Sequence, residues 1–287
     1  MDTRSLKLFL HLSESLHFGR TSQAMHISPS ALTRIIQQLE EGLDTKLFVR
    51  DNRSVSLTRS GKLFQEYARE SLQQWQSFQH SLMEETKELQ GDISIYCSVT
   101  ASYSFLYNIL SEFRTAHPKI GIRLHTGDPE HALSRVQNGE EDVAIASRTE
   151  KLPRTLDFKS IAKSKLLTIA PTHHSEKTPW HKAPLILSEE GVIRKRVNHW
   201  FQQHNLKPNI YAQVAGNEAI VSMVSLGYGV GVVPEIVLNN SPLADKVAII
   251  EDQPSLDEIE VGLCTQKKRL QNPLIKALWD DVVINKG

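Results

Sequence analysis

The sequence predicts an α/β protein in three parts: an N-terminal winged helix-turn-helix, a long connecting helix, and a C-terminal domain made of two α/β subdomains. Three observations predict it. Ser28-Pro29 is a strong helix start, and the helix it opens has one apolar and one polar face. No proline interrupts residues 59–89, where apolar side chains recur every seven positions. After Gly91, strand-like and helix-like segments alternate, which is the pattern of a parallel sheet. These signals set the parts at 1–58, 59–90 and 91–287.

Composition bounds the reading. A chain of 287 residues with 40% hydrophobic content has length for two domains and supports packed cores. Formal net charge is zero, so any nucleic-acid footprint must be local. No run approaches the ~18 consecutive apolar residues of a spanning helix. Met1-Asp2-Thr3-Arg4 leads into a charge-patterned helix, so a cytoplasmic location without membrane attachment is expected. Cys97 and Cys264 each lie in an alternating, strand-like stretch and read as reduced core thiols, neither a disulfide nor a metal knuckle.

Residues 4–15 put Leu6, Phe9, Leu10 and Ser13 on one helical face, with Leu16 and Phe18 following before Gly19. A short second helix over 21–25 carries Ala24, small enough for a close helix crossing, and His26-Ile27 turns the chain. In the third helix Leu32, Ile35, Ile36 and Leu39 form the apolar face, leaving Ser30, Thr33, Arg34, Gln37 and Gln38 opposite. Arginine can donate twice to guanine and glutamine pairs both ways with adenine, while Ser28, Ser30 and Ala31 let the helix approach bases closely. Any solvated helix face carries similar residues, so context must decide. That context is the hairpin of residues 43–58, whose tip places Arg50 and Arg53 where a wing grips phosphates without reading sequence.

In the connecting helix Ala68, Trp75, Leu82 and Leu89 recur every seven residues, with Phe64, Ser71 and Phe78 between them, as in a dimerising seam. Ser71 and Glu85 interrupt the seam, leaving open a helix packed on its own domain. A two-fold dimer presents two recognition helices to inverted half-sites about one turn of DNA apart, or a multiple of that.

In the third part, strand at 93–99, helix to 116, strand at 120–124, helix to 138 and strand at 142–146 give βαβαβ. A second run follows: strands at 166–170, 185–187 and 210–214, a helix around Trp200-Phe201, and a helix over 217–226. A strand at 259–265 and a helix at 273–283 read as a late return, so the first subdomain spans about 91–161 plus 267–287 and the second 162–266, with a cleft between them. Ser98, Thr100, Ala101 and Ser102 sit where a strand ends and a helix begins. Free amides and hydroxyls there can hold a carboxylate, although helix capping asks for the same residues. Asn217 and Glu218 start a second such helix, and Arg194, Lys195 and Arg196 bring the nearest concentrated positive charge. Three adjacent basic residues on one helix cannot all face one cleft, so at least one belongs to solvated surface.

Enzymatic chemistry finds no support. His173-His174 have no carboxylate or cysteine partners at ligand spacing and read as a solvated loop. Gly227-Tyr228-Gly229-Val230-Gly231 lacks the strand-turn-helix spacing of a nucleotide loop and reads as a tight helix-to-strand connection. No catalytic residue, metal or cofactor is expected, and a plain solute-binding protein is opposed by the N-terminal segment.

Leu6 to Phe9, Phe18, Ala24, Ile27-Ser28, Ala31-Leu32, Arg34, Gln37, Leu39-Glu40, Leu47-Phe48, Arg50 and Leu57-Thr58 with Gly61 resemble the LysR-type transcriptional regulators. The pattern departs at Asp44, where that family has glycine, and at Ser60, where alanine is usual; aspartate tolerates a left-handed backbone better than most residues. The resemblance implies double-stranded DNA as partner, a homodimer assembling further to a tetramer, and an effector domain similar in fold to periplasmic solute-binding proteins. It also implies that a small-molecule inducer closes the cleft and shifts the placement of dimers, changing DNA bending and RNA polymerase access. Longer stretches, His17-Phe18-Gly19-Arg20, Leu47 through Arg53, Cys97 through Ala101, and Cys264 with Gln266 through Leu270, resemble the branch that activates an acetohydroxy acid isomeroreductase gene. For that branch the implied inducer is acetolactate or acetohydroxybutyrate.

Overall fold

The computed structural model describes residues 2–50, 54–83, 89–173, 179–251 and 254–282. The chain forms two compact units, one built on Met1–Lys87 and one on Glu88–Gln137 with Glu141–Gly287.

The first unit begins with α1 (Thr3–Ser15), capped by Asp2, whose carboxylate accepts the Ser5 amide at 2.7 Å. Helix α2 (Phe18–Ala24) starts three residues before its expected position because His17 caps it, Nδ1 accepting the Arg20 amide at 3.1 Å. The close approach of this helix uses buried Thr21 and Ser22; Ala24 is exposed, contrary to its expected packing role. Thr21 Oγ1 lies 2.6 Å from Ser15 Oγ and 3.1 Å from His11 Nδ1, so polar pairing fixes the crossing. Helix α3 (Pro29–Gly42) starts as expected, with Ser28 Oγ accepting the Ala31 amide at 3.2 Å. Asp44 does stand in the left-handed region, at φ 48°.

Strands β1 (Phe48–Arg50) and β2 (Val55–Leu57) pair antiparallel as the wing, Phe48 opposite Leu57. Thr58 then hinges the chain into α4 (Arg59–Met83): its amide and hydroxyl donate to Leu47 O and Lys46 O, while Oγ1 accepts the Gly61 amide at 2.8 Å. Gly61 packs so closely on Leu47 that a Cβ there would overlap its carbonyl oxygen. Phe9 centres the core, its ring 4.7 Å from Phe64 and 5.3 Å from Phe48.

That core divides the seven-residue seam. Phe64 and Ala68 are buried in the core of their own domain, on the face of α4 that packs on α1, whereas Leu63 and Tyr67 of the same turns stay exposed. Trp75 and Phe78 lie further along α4, 46% and 55% exposed and 6.1 Å apart. The Leu82 side chain and Glu85 fall outside the described residues, and Leu89 packs against the core of the second unit. The 58/59 boundary therefore cuts through one packed unit.

The second unit opens with β3 (Gly91–Cys97), followed by a continuous helical run: α5 (Val99–Ala101), a π-wound turn (Ser102–Leu106) and α6 (Tyr107–Ala116). Next come β4 (Ile120–Thr126), α7 (Ala132–Gln137), β5 (Val143–Ser147) and β6 (Leu156–Ser164). The chain crosses to β7 (Leu166–Pro171), β8 (Leu185–Ser188), α8 (Gly191–Gln203), β9 (Ile210–Val214), α9 (Asn217–Ser225), β10 (Val230–Pro234), α10 (Glu235–Asn239) and β11 (Val247–Ile249). It returns through β12 (Ile259–Gln266) and α11 (Pro273–Asp281). The two sheets run β4-β3-β5-β12-β6 and β11-β7-β10-β8-β9.

This order corrects the expected subdomain limits. Strand β12 pairs antiparallel with both β5 and β6, Cys264 standing opposite Ala144 and Phe158, so residues 259–266 belong to the first subdomain, as does the end of β6. The return is pinned from both sides. Gln266 Nε2 donates to Val136 O and Gln137 O at 2.8 and 2.9 Å, and Arg269 forms a buried ion pair with Asp142, which also accepts the Ser94 amide. Burial lowers the Arg269 guanidinium to about 10. Cys97 and Cys264 are free and buried in separate clusters, and burial raises their thiols to about 11 and about 12. Between α9 and β10, Gly227 (φ 87°) and Gly229 (φ 155°) make the expected tight connection.

Candidate functional site

Two sites emerge, one in each unit. In the first, α3 turns Leu32, Ile36 and Leu39 into the core, which leaves Ser28, Ser30, Arg34, Gln37 and Gln38 exposed and Ala31 and Thr33 half-buried beside them. All seven lie on the N-terminal and outer side of one rigid helix, where arginine, amides and short hydroxyls can reach base edges. Beside it Arg50 ends β1 with its guanidinium carbon 4.4 Å from the Phe18 ring centroid, a cation–π contact. Arg53 lies outside the described residues.

Glu40 is a residue that sequence reasoning passed over except as part of a pattern. It is buried on α3, and Oε1 accepts the amides of Leu47 and Phe48 at 3.0 and 3.3 Å while Oε2 meets Lys46 Nζ at 2.9 Å. Burial opposes its charge, but these donors prevail and its carboxyl lies below the ordinary value. The recognition helix is thereby tied to the root of the wing.

In the second unit the expected carboxylate site resolves into caps and one outward contact. Ser98 caps the helical run: its Oγ accepts the Ala101 amide at 3.1 Å, so that amide is occupied. The Ser102 hydroxyl donates back to Val99 O at 2.6 Å. Thr100 alone of the four reaches across to the second subdomain. Its amide donates to Glu218 Oε1 at 2.9 Å and its hydroxyl donates to the same oxygen. Glu218, expected as a ligand contact, thus occupies the donors expected for a ligand. Asn217 begins α9 beside it, after Gly216 at φ 81°.

The basic cluster is engaged elsewhere. Arg194 Nη1 donates to Ser188 O at 2.8 Å and its Nε to Asn198, Arg196 Nη1 donates to Asp257 O, and Lys195 is exposed. A second contact between subdomains had no sequence signal. Glu130, half-buried between β4 and α7, presses on Gly191 at the start of α8, where a Cβ would overlap its carboxyl group and φ is 99°. Burial, then Asp128 and Glu190, push the Glu130 carboxyl up to about 7 against the opposing pull of Lys195. Glycine at 191 and a polar, charged neighbourhood were both visible in the sequence, but nothing placed them together.

Among the described residues no group of three or more His, Cys, Asp or Glu is placed to hold a metal, and no helix is long and apolar enough to cross a membrane. His173 lies in an exposed turn and His174 outside the described residues.

Residues 3–62 match the bacterial regulatory helix-turn-helix model of the lysR family, and residues 86–283 match the LysR substrate binding domain. The chain belongs to the LysR family of transcriptional regulators. This LysR-type regulator is 46% identical over 290 residues to the HTH-type transcriptional activator IlvY of Salmonella typhimurium, covering 97% of this chain and 98% of that one. It is 45% identical over the same length to the HTH-type transcriptional regulator IlvY of Escherichia coli, again covering 97% and 98%. Its fold is that of full-length CbnR, solved with its target DNA, at TM-score 0.66, 20% identity, and coverage of 98% and 99%. The effector binding domain of QuiR in complex with shikimate matches at TM-score 0.59 and 21% identity, covering 68% of this regulator and 96% of that chain.

Proposed function

We propose that this regulator binds double-stranded DNA through α3 and the wing as a homodimer, assembling further to a tetramer, and activates a gene of branched-chain amino acid biosynthesis in response to a small carboxylate. The inducer on this reading is acetolactate or acetohydroxybutyrate, and the controlled gene encodes acetohydroxy acid isomeroreductase. The observation that carries it is the near-full-length identity to IlvY proteins, which spans the DNA-facing helix and the effector domain together. In support, the polar face of α3 is free of its own core, and Thr100 carries an amide and a hydroxyl that hold a carboxylate oxygen. Exposed Trp75 and Phe78 provide the dimer contact along the outer half of α4. The inducer closes the cleft and changes the placement of dimers, DNA bending and RNA polymerase access.

The test is footprinting of the purified protein on DNA upstream of its own gene and of the isomeroreductase gene, at fixed salt, with and without acetolactate. Specific protection that changes with acetolactate is expected. Specific protection insensitive to acetolactate rejects the inducer, and only weak, sequence-independent binding rejects the target.

A further inference from the structure

The Glu218 carboxylate sits between two helix N-termini. One oxygen takes both Thr100 donors at the head of the helical run Val99–Ala116, and the other lies over Gly216, the residue preceding α9. Both helix ends favour negative charge, so this position is suited to one carboxylate whatever its source. A second tie crosses the same cleft nearby: Asn240, at the end of α10, donates to Ser104 Oγ at 3.0 Å, and Ser104 donates to Thr100 O at 2.8 Å. Thr100 is buried, whereas Glu218 is exposed and reaches the contact by its side chain alone. The helix of Glu218 does not need this contact, because α9 packs through Ile220, Val221 and Val224. Glu218 can swing away without cost to the core.

We propose that Glu218 is a built-in competitor for the effector carboxylate. An incoming carboxylate takes the Thr100 amide and hydroxyl, expels the Glu218 side chain, and replaces a tie between the subdomains with a ligand-made one. This rests on reading the Thr100 end of the cleft as the effector site. The consequence is a threshold. With Glu218 on the Thr100 donors, the regulator responds only where inducer outcompetes a tethered carboxylate, and ligand binding is linked to rearrangement of the cleft.

The experiment uses the full chain as wild type, Glu218→Ala and Glu218→Gln. Hydrogen exchange of peptides covering residues 98–106 is read without ligand, and acetolactate affinity is read by calorimetry. Glu218→Ala should speed exchange in that segment and bind acetolactate about tenfold more tightly, with Glu218→Gln between it and wild type because a neutral amide oxygen competes less well. Faster exchange with unchanged or weaker acetolactate binding overturns competition, and unchanged exchange overturns the tie. If neither wild type nor Glu218→Ala binds acetolactate, the inducer reading fails by itself; the exchange result then decides the tie, faster exchange supporting it and unchanged exchange overturning it.

Discussion

Glu130→Gln tests the contact between Glu130 and Gly191 through its dependence on pH. The carboxyl stands at about 7 in the folded protein against 4.5 for an unperturbed glutamate. Below pH 4.5 it is neutral in both folded and unfolded chains and contributes nothing. As pH rises from 4.5 towards 7 the unfolded chain ionises first, so the folded state loses stability across that window and stays depressed above it. At about 1.36 kcal/mol per pKa unit the full separation corresponds to roughly 3 kcal/mol, and allowing for partial exposure leaves about 2 kcal/mol. Glutamine keeps the shape and removes the charge, so it should stabilise the second unit by about 2 kcal/mol at pH 8 and by almost nothing at pH 4. Urea unfolding followed through the Trp180–Trp200 ring cluster, whose centroids are 4.7 Å apart in this unit, reports the difference. Equal stability changes at pH 4 and pH 8 would refute the reasoning, because a packing effect has no reason to titrate.

Three further outcomes follow from the DNA-facing unit. Arg34→Ala and Gln37→Ala should each relax sequence choice by about 1 to 3 kcal/mol if they contact bases in bidentate fashion, measured as binding to operator against random DNA; equal weakening on both would place them on the backbone. Arg50→Ala should weaken both DNAs alike and reduce the slope of log affinity against log salt by about 1, whereas an unchanged slope would remove it from the phosphate contacts. Gly61→Ala forces a methyl group onto Leu47 O and should destabilise the first unit by about 1 to 3 kcal/mol in thermal unfolding, and a neutral result would show that the start of α4 can move aside.

Most elements were legible in the sequence because each signal was local. Ser28-Pro29 marks the start of α3, Asp44 admits a left-handed residue, and alternating side chains give the wing and the parallel strands. What escaped depends on partners distant in the chain. The place of β12 follows from antiparallel pairing with β5 and β6, which a run of strand and helix signals cannot express. The seven-residue seam was real as a pattern, yet its Phe64 and Ala68 satisfy an intramolecular core, because α1 packs on that face of α4. Likewise Ser98 and Ala101 had the composition of an anion site and are occupied in capping, while Thr100 found its carboxylate in Glu218, 118 residues away. The Glu130 contact needed tertiary proximity to a glycine whose missing side chain is the feature that matters.

The burial of Phe64 and Ala68 makes the base of α4 a rigid part of the reading head, and what extends beyond acts as a lever arm. From Ala68 to Met83 the helix runs about fifteen residues, roughly 22 Å at ~1.5 Å per residue. A sideways displacement of about 2 Å at its far end turns the whole head, α3 included, by about 5°, provided the helix stays straight. Gearing of this kind converts movements the size of a side-chain contact into a change in how the recognition helix is aimed. Softening the arm, for instance with a glycine pair beyond Ala68, would leave grip and sequence preference intact while uncoupling them from any signal arriving at its end.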